Sequence, residues 1–143
     1  MVRRKARSKE PTEIEEKELA EIEQYVKDIN VLKERLKVAE IAGLGEYEEG
    51  TKPLRDRAGL DWYYWAPNKK AFLVIRGKTI EMRCDRKLSK VLKEDYETVM
   101  ESRYFGRGGI EIVPTGQLQD AELADLIRLS YNLTLLAKVK DKI

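Results

Sequence analysis

Apolar residues in the first third of the chain recur at alternating spacings of three and four. They form one stripe through Ile22, Tyr25, Ile29, Leu32, Leu36 and Ala39. This pattern predicts an amphipathic helix whose apolar side packs against another surface. Thr12 and Glu15 have the spacing of a capping box and Gly43 is a typical helix stop, so the expected helix covers about 12–42. A break near 28–30 would divide it into two shorter helices.

Three strand-like runs follow a polar, glycine-bearing segment. They are 60–66 (LDWYYWA), 71–76 (AFLVIR) and 79–84 (TIEMRC). Short turns separate the runs, which is typical of an antiparallel meander. In the third run apolar residues alternate with Glu81 and Arg83, so one face of the strand is expected to be buried and the other wet.

The last part of the chain predicts two more helices and one more strand. Asp85 is expected to cap a short helix that runs to about Lys93, and Asp120 is expected to cap a final helix. Between these helices, 94–109 has no regular pattern and 110–113 is typical of a fourth strand. The apolar face of the final helix contains Leu123, Leu126, Ile127 and Tyr131 and is expected to extend to Leu135.

These elements predict an α+β fold: an antiparallel sheet of about four strands covered by helices, with a long N-terminal helix. The expected organisation has four parts. Residues 1–11 form a disordered basic tail, 12–43 a helix or helical pair, 44–59 a connector and 60–137 the α+β domain.

Composition excludes several classes of site. The chain of 143 residues has no histidine, and Cys84 is its one cysteine, so an internal disulfide, a cysteine-based zinc site and histidine-dependent nucleophilic catalysis are all excluded. No carboxylate loop of the calcium-binding type occurs. We therefore expect no metal or cofactor and a binding module that is not an enzyme. With no apolar run long enough to span a membrane and no secretory signal pattern, we expect a cytoplasmic protein without membrane association.

Charge is distributed unevenly along the chain, although the net charge is only +2. Residues 1–9 carry five basic side chains and no acid, whereas 10–51 carry thirteen acids and five bases. Residues 52–107 carry fourteen bases and eight acids. Local potential follows this segregation, so the middle of the chain is where an anionic partner is expected to bind.

The glycine-bearing loop 103–109 is the first candidate binding site. Arginines bind phosphate, aromatic rings stack on bases, and glycines allow close approach of the backbone. The alternative is a structural loop whose rings fill the edge of the core. The predicted nucleic-acid-binding residues are Arg103, Tyr104, Phe105, Arg107, Lys69, Lys70, Arg76 and Lys78.

Adjacent residues of a strand point to opposite faces, so the aromatic run 62–65 places rings on both sides of the sheet. One pair is expected in the core. The other pair lies either under the N-terminal helix or in the open, as a stacking platform. The basic tail (Arg3, Arg4, Lys5, Arg7, Lys9) either adds phosphate affinity that falls with salt or only improves solubility.

The stripe of the N-terminal helix is the second candidate. Its apolar residues either cover the chain's own sheet or pair with a partner helix or a second copy. The predicted interaction residues are Ile22, Tyr25, Ile29, Leu32 and Leu36.

Residues 61–133 resemble the YjbR/MmcQ family. The resemblance rests on GKTIEMRCDRKLSKVL (77–92), on GIEIV (109–113) and on DAELADLIRLSYNL (120–133), whose "LI-x-x-SY" ending is the most specific element. It implies a fold akin to the frataxin (CyaY-like) α+β sandwich. A second uncharacterised family, seen fused to predicted nucleases, is similar over the same loop, strand and ending.

Members of the YjbR/MmcQ family have been proposed to bind DNA, and the resemblance brings no catalytic residues with it. Together with the charge pattern, it favours a module that binds DNA or RNA, or that is associated with a nucleic-acid-processing system. The alternative is a protein-interaction or regulatory domain that pairs through its N-terminal helix.

Overall fold

A computed structural model of the chain describes residues 13–52 and 59–137, with side chains from residue 15 onward. The helices are α1 (Glu13–Leu36), α2 (Arg86–Asp95) and α3 (Asp120–Leu136), with a 3-10 turn at Val38–Glu40. The strands are β1 (Glu48–Thr51), β2 (Trp62–Trp65), β3 (Ala71–Arg76), β4 (Thr79–Arg83), β5 (Val99–Ser102) and β6 (Gly106–Ile112). Thr12, the predicted tail 1–11 and part of the predicted connector lie outside the described residues.

The described residues form one antiparallel sheet of six strands in the order β1-β2-β3-β4-β6-β5. The α+β class and the long N-terminal helix are confirmed, but the expected number of four strands is wrong. The two additional strands, β1 and β5, are the edges of the sheet. Strand β1 lies in the predicted connector 44–59, and β5 lies in the stretch 94–109 that was expected to be irregular. Strand β6 begins at Gly106 and not at Ile110, so the predicted loop 103–109 is a loop only at 103–105.

All three helices pack on the same face of the sheet. Their apolar residues join the inward side chains of the strands in one core, which contains Ile29, Leu32, Leu36, Leu92, Leu123, Ile127, Ile75, Ile80, Met82, Ile110 and Ile112. A separate small cluster on the opposite face contains only strand residues and Phe105. We call this second side the open face, because no helix among the described residues covers it.

Two helix ends differ from the prediction. Helix α1 runs without a break to Leu36 and ends there, because Lys37 adopts a left-handed conformation with φ 42°. The chain then makes a 3-10 turn before Gly43, which has φ 90°. Helix α3 is capped by Gln119 and Glu122, which form a capping box, and not by Asp120. The carboxylate of Asp120 instead accepts a hydrogen bond from Arg35 at 2.8 Å and so joins α3 to α1.

The predicted cap of the middle helix is confirmed. The side chain of Asp85 accepts hydrogen bonds from the backbone amides of Lys87 and Leu88, at 3.0 and 3.3 Å. These bonds satisfy amides in the first turn of α2 that have no partner within the helix.

A bulge between β2 and β3 turns one aromatic side chain toward the helices. Tyr64 pairs with Leu73 and Trp65 with Ala71, so Phe72 is an extra residue between the two pairs. Regular alternation would place Phe72 on the open face. Instead its ring is buried in the helix-side core and meets the ring of Tyr131 edge-on at 5.0 Å.

The serine and tyrosine of the LI-x-x-SY ending fix α3 to the sheet. The Ser130 hydroxyl donates to the Phe72 carbonyl at 2.6 Å and accepts from the Arg83 amide at 2.8 Å. The Tyr131 hydroxyl donates to the Glu46 carbonyl at 2.9 Å. Both residues are buried and bonded to backbone, so the most specific part of the sequence resemblance has a structural role.

We predict that Ser130→Ala lowers the free energy of unfolding by about 1–3 kcal/mol, because it leaves two buried backbone groups without their partner. Ser89→Ala is the matched control. The Ser89 hydroxyl is also buried in a helix, but within the described part of the chain it has no hydrogen-bond partner, so its loss is expected to be neutral or slightly stabilising. Urea denaturation measures both, and equal effects would contradict the role assigned to Ser130.

Candidate nucleic-acid interface

A row of paired residues crosses the middle of the open face. Tyr63, Val74, Glu81 and Glu111 stand side by side on β2, β3, β4 and β6. The strand register therefore places two carboxylates next to each other on a surface that also carries aromatic and basic side chains. Glu81 is fully buried and Glu111 nearly so.

The loop 103–105 folds back over this row. Glu81 Oε1 accepts hydrogen bonds from the Ser102 hydroxyl at 2.6 Å and from the Tyr104 amide at 2.7 Å. Phe105 then lies against Gly109, where a Cβ atom would come within 2.5 Å of the Phe105 Cβ. The loop can rest on the sheet because position 109 has no side chain.

Two of the predicted phosphate-binding arginines are paired with acids of the sheet. Arg103 forms a bidentate ion pair with Glu111: its Nε donates to Oε1 at 2.9 Å and its Nη2 donates to Oε2 at 2.7 Å. Arg76 Nε lies 3.0 Å from Glu81 and 3.3 Å from Asp61, close enough for ion pairing but without the angle of a hydrogen bond. Both cations are therefore paired with acids inside the fold, and contact of either one with an external anion stays a prediction.

The pKa of Glu111 reflects this pairing. Burial acts to raise the pKa of the carboxyl, but the hydrogen bonds from Arg103 and Thr79 outweigh burial, and the pKa is lowered from its ordinary value. The carboxylate therefore stays charged near neutral pH and holds Arg103 in place.

The aromatic run of β2 is divided between the two faces. Tyr64 is buried on the helix side, and Trp62 lies there under Lys33, whose Nζ is 3.5 Å from the ring centroid. Tyr63 and Trp65 lie on the open face, stacked with centroids 5.6 Å apart and planes 4° from parallel.

The loop adds two rings to those of β2. Tyr104 meets the edge of Tyr63 at 5.7 Å and that of Phe105 at 4.7 Å. Tyr63 is buried beneath its neighbours, Trp65 and Phe105 are half-buried, and Tyr104 is exposed. Lys52 Nζ lies 5.8 Å from the centroid of Tyr63. The open face thus carries a continuous aromatic patch, which we define as Tyr63, Trp65, Tyr104 and Phe105.

Arg83 is the cation that sequence reasoning missed. Its guanidinium lies 5.1 Å from the centroid of Phe105, and its Nε donates to the Ala71 carbonyl at 3.2 Å. No acid of residues 13–52 or 59–137 forms an ion pair with it. Partial burial lowers the pKa of this arginine, which nevertheless remains charged at neutral pH. The alternation of Glu81 and Arg83 predicted a wet face for both residues, and that was the signal available. Arg83 is half-buried, but the prediction is wrong for Glu81, which is fully buried under the loop.

The remaining predicted cations lie at opposite ends of the sheet. Lys70 and Arg107 lie at the end of the sheet where Arg83 is found. Lys70 precedes Ala71, whose carbonyl accepts a hydrogen bond from Arg83 Nε. Arg107 precedes Gly108, whose carbonyl accepts a hydrogen bond from the amide of Cys84, the residue after Arg83. Lys69 is also there and pairs with Glu48 at 3.4 Å. Lys78 lies in the turn at the other end, beside Arg76. The structure therefore groups three of these cations with Arg83 and separates Lys78 from them.

The predicted interaction stripe of α1 is divided along its length. Ile29, Leu32 and Leu36 are buried in the chain's own core. Tyr25 is half-buried, with its hydroxyl donating to Asp61 and its ring over the β3–β4 turn. Ile22 is exposed. The first alternative, packing on the chain's own sheet, is therefore confirmed for the second half of the helix, and the first half is left without a covering element among the described residues.

The described residues contain no group of three or more histidine, cysteine, aspartate or glutamate side chains placed to hold a metal ion, and no helix long and apolar enough to cross a membrane. Burial raises the pKa of the Cys84 thiol to about 11, so it stays protonated at neutral pH and is a poor nucleophile.

Comparison with known proteins identifies one solved structure with a related fold. No protein-family model and no curated protein sequence matches the chain. The crystal structure of the Deinococcus radiodurans protein DR2400, with family-model domain DUF419, superposes with a TM-score of 0.58 over 80% of this chain and 84% of that one, at 13% sequence identity. The fold is similar to that of a DUF419 domain.

DUF419 lies in the YjbR/MmcQ-like family, so the DUF419-like fold agrees with the resemblance carried by the sequence. At this level of identity the similarity concerns the fold alone. It assigns no function to the open face.

Proposed function

We propose that this protein is a non-enzymatic module that binds single-stranded nucleic acid on the open face of its sheet. The observation that carries the proposal is Arg83, a half-buried guanidinium beside Phe105 that has no acidic partner in the described part of the chain. A charged hydrogen bond to phosphate is strongest where solvent is partly excluded and no internal carboxylate competes for the donor.

The aromatic patch supplies the second requirement. Stacking of a base on an aromatic side chain contributes about 1–3 kcal/mol and depends little on sequence. Trp65, Phe105 and Tyr104 present ring area next to Arg83, so bases of a flexible strand can contact rings while a phosphate reaches the guanidinium. A duplex keeps its bases stacked inside and offers them to such a surface only at its ends.

The basic end of the sheet supplies a path for the backbone of the strand. Lys70 and Arg107 have no ion-pair partner among residues 13–52 and 59–137, and they flank the end of the sheet at which Arg83 lies. In this arrangement Arg103 and Arg76 hold the loop in shape, and the phosphate contacts come from Arg83, Lys70 and Arg107.

Fluorescence anisotropy with labelled single-stranded DNA, single-stranded RNA and duplex DNA of equal length tests the proposal. We expect both single strands to bind more tightly than the duplex. The logarithm of their association constant should fall linearly with that of the salt concentration, with a slope of about −0.7 per contacted phosphate. Absence of binding at low salt, or affinity that does not change with salt, would refute it.

We predict that Arg83→Gln weakens binding of single strands about tenfold or more, because it removes a charged hydrogen bond worth about 1.5–3 kcal/mol. Lys90→Gln is the control: Lys90 is an exposed cation on α2, behind the sheet, and its loss should change affinity less than twofold. Both variants should unfold near the same urea concentration as the parent. Equal effects of the two substitutions would show that overall charge, and not Arg83, determines binding.

A further inference from the structure

The first half of α1 extends beyond the core that holds its second half. Helix α1 has 24 residues, and at a rise of about 1.5 Å per residue it is roughly 36 Å long. Every residue from 15 to 24 is exposed, whereas the buried positions begin at Ile29. Ten consecutive residues of regular helix are therefore exposed.

This exposed half has a coherent apolar seam. Leu19, Ile22 and Val26 are 54%, 45% and 38% exposed, and their spacings of three and four put them on one side of the helix. With Leu19 as position a of a heptad, Ile22 falls at d, Val26 at a and Ile29 at d. The seam thus runs on into the chain's own core, which fills it from Ile29 onward.

Acidic side chains surround the seam. Residues 15–24 contain five glutamates and one lysine. Glu18 and Glu23 occupy the flanking g and e positions, where side chains of paired helices meet. Among the described residues neither of them forms an ion pair. The local charge is therefore negative on both sides of the apolar strip.

The same charge argues against a second copy as the occupant. Two copies paired through this seam would bring their glutamates together, and like charges at such positions destabilise helix pairing. A helix with lysine or arginine at its flanking positions would instead meet an acid on each side.

We propose that the exposed half of α1, residues 15–26, is a docking surface for a basic amphipathic helix of another protein. The apolar seam gives the contact its area, and the flanking glutamates select the charge of the partner. This surface belongs to the helix layer and is separate from the open face, so the proposal does not depend on nucleic-acid binding.

Three synthetic peptides test it against the full chain. They share one length and one leucine seam and differ only at the flanking positions, which are lysine, glutamine or glutamate. We expect the lysine peptide to bind at least tenfold more tightly than the glutamine peptide, and the glutamate peptide not to bind. Equal binding of the lysine and glutamine peptides would overturn the assigned role of the glutamates.

Substitution of the seam separates docking from general attraction of a basic peptide. The double variant Leu19→Gln, Ile22→Gln should lose at least tenfold in affinity for the lysine peptide. Val31→Gln is the control, because Val31 is 64% exposed on another side of α1, and it should bind as the parent does. All these positions are exposed, so urea midpoints should not change. Undiminished binding by the double variant would overturn the proposal.

Sedimentation of the chain without peptide tests the competing occupant. We expect a monomer, with the same sedimentation for the parent and the double variant. A dimer that the double variant abolishes would mean that a second copy occupies the seam, which would overturn the choice of a heterologous partner.

Discussion

Replacing Glu81 with alanine is expected to lower the free energy of unfolding by about 3–5 kcal/mol, the cost of breaking a buried charge pair. Glu81 is fully buried and holds three groups together: the Ser102 hydroxyl, the Tyr104 amide and the Arg76 guanidinium. Without it, a hydroxyl and an amide lose their acceptor, and among the described residues Asp61 is the one ion-pair partner that Arg76 keeps. The loop that positions Tyr104 and Phe105 should loosen together with the sheet.

Glu101→Ala is the matched control for this prediction. Glu101 is exposed on β5, and its carboxylate is 3.9 Å from Lys93, a contact of the kind that contributes little at a surface. Its loss should change stability by less than about 0.5 kcal/mol. Urea denaturation measures the change in the free energy of unfolding for both variants, provided that the m-value is unchanged. A loss below 1 kcal/mol for Glu81→Ala, on the scale of a surface change, would mean that Glu81 does not organise the loop.

Phe72→Ala should also cost about 3–5 kcal/mol, through lost burial and the cavity it leaves. The ring has no exposed surface and lies among Tyr47, Tyr64 and Tyr131. Because the bulge alone brings Phe72 to the helix side, the substitution measures how much this irregularity contributes to packing.

Val91→Ala on α2 serves as the comparison, since Val91 is half-exposed and its truncation should fall within about 0.5 kcal/mol. Phe72→Leu should lie between the two, because leucine fills part of the cavity. If Phe72→Ala unfolds at the same urea concentration as Val91→Ala, the ring does not belong to the core and the bulge does not turn it toward the helices.

The sequence predicted the central strands and the helices because these elements bury their apolar side chains. Strand β3 was predicted with its observed bounds, and the expected apolar face of α3 is buried except at Leu135. The edge strands β1 and β5 were not predicted, and the reason is physical. Strand β1 reads Glu-Glu-Gly-Thr and β5 contributes mainly Val99 to the core, so backbone pairing with a neighbour, and not side-chain burial, accounts for them.

The surroundings of the candidate site could be predicted only in part, for a similar reason. The amino-acid sequence shows that the loop contains aromatic and basic residues, but the availability of each cation depends on which acid the strand register brings next to it. Glu81 and Glu111 are far apart in sequence from one another and adjacent in the sheet. They pair with Arg76 and Arg103 and, within residues 13–52 and 59–137, leave Arg83 without a carboxylate partner, a distribution that no local pattern contains.

The apolar stripe of α1 illustrates a related limit. Its period is uniform from Leu19 to Leu36 and gives no indication of where the core ends. The width of the sheet and the position of α3 determine which part of the stripe is buried, and both are tertiary properties.

The short outer strands also determine how this protein can associate. The unpaired N–H and C=O groups of an edge strand can bond to a strand of another chain, which leads to fibrils or to domain-swapped dimers. Here each border is only four residues long, and the borders carry the carboxylates of Glu48, Glu49 and Glu101. Addition of a strand at either edge would bring a new backbone beside these charges, which is unfavourable. A partner is therefore expected to bind on the open face or along the exposed half of α1 at a lower cost in free energy.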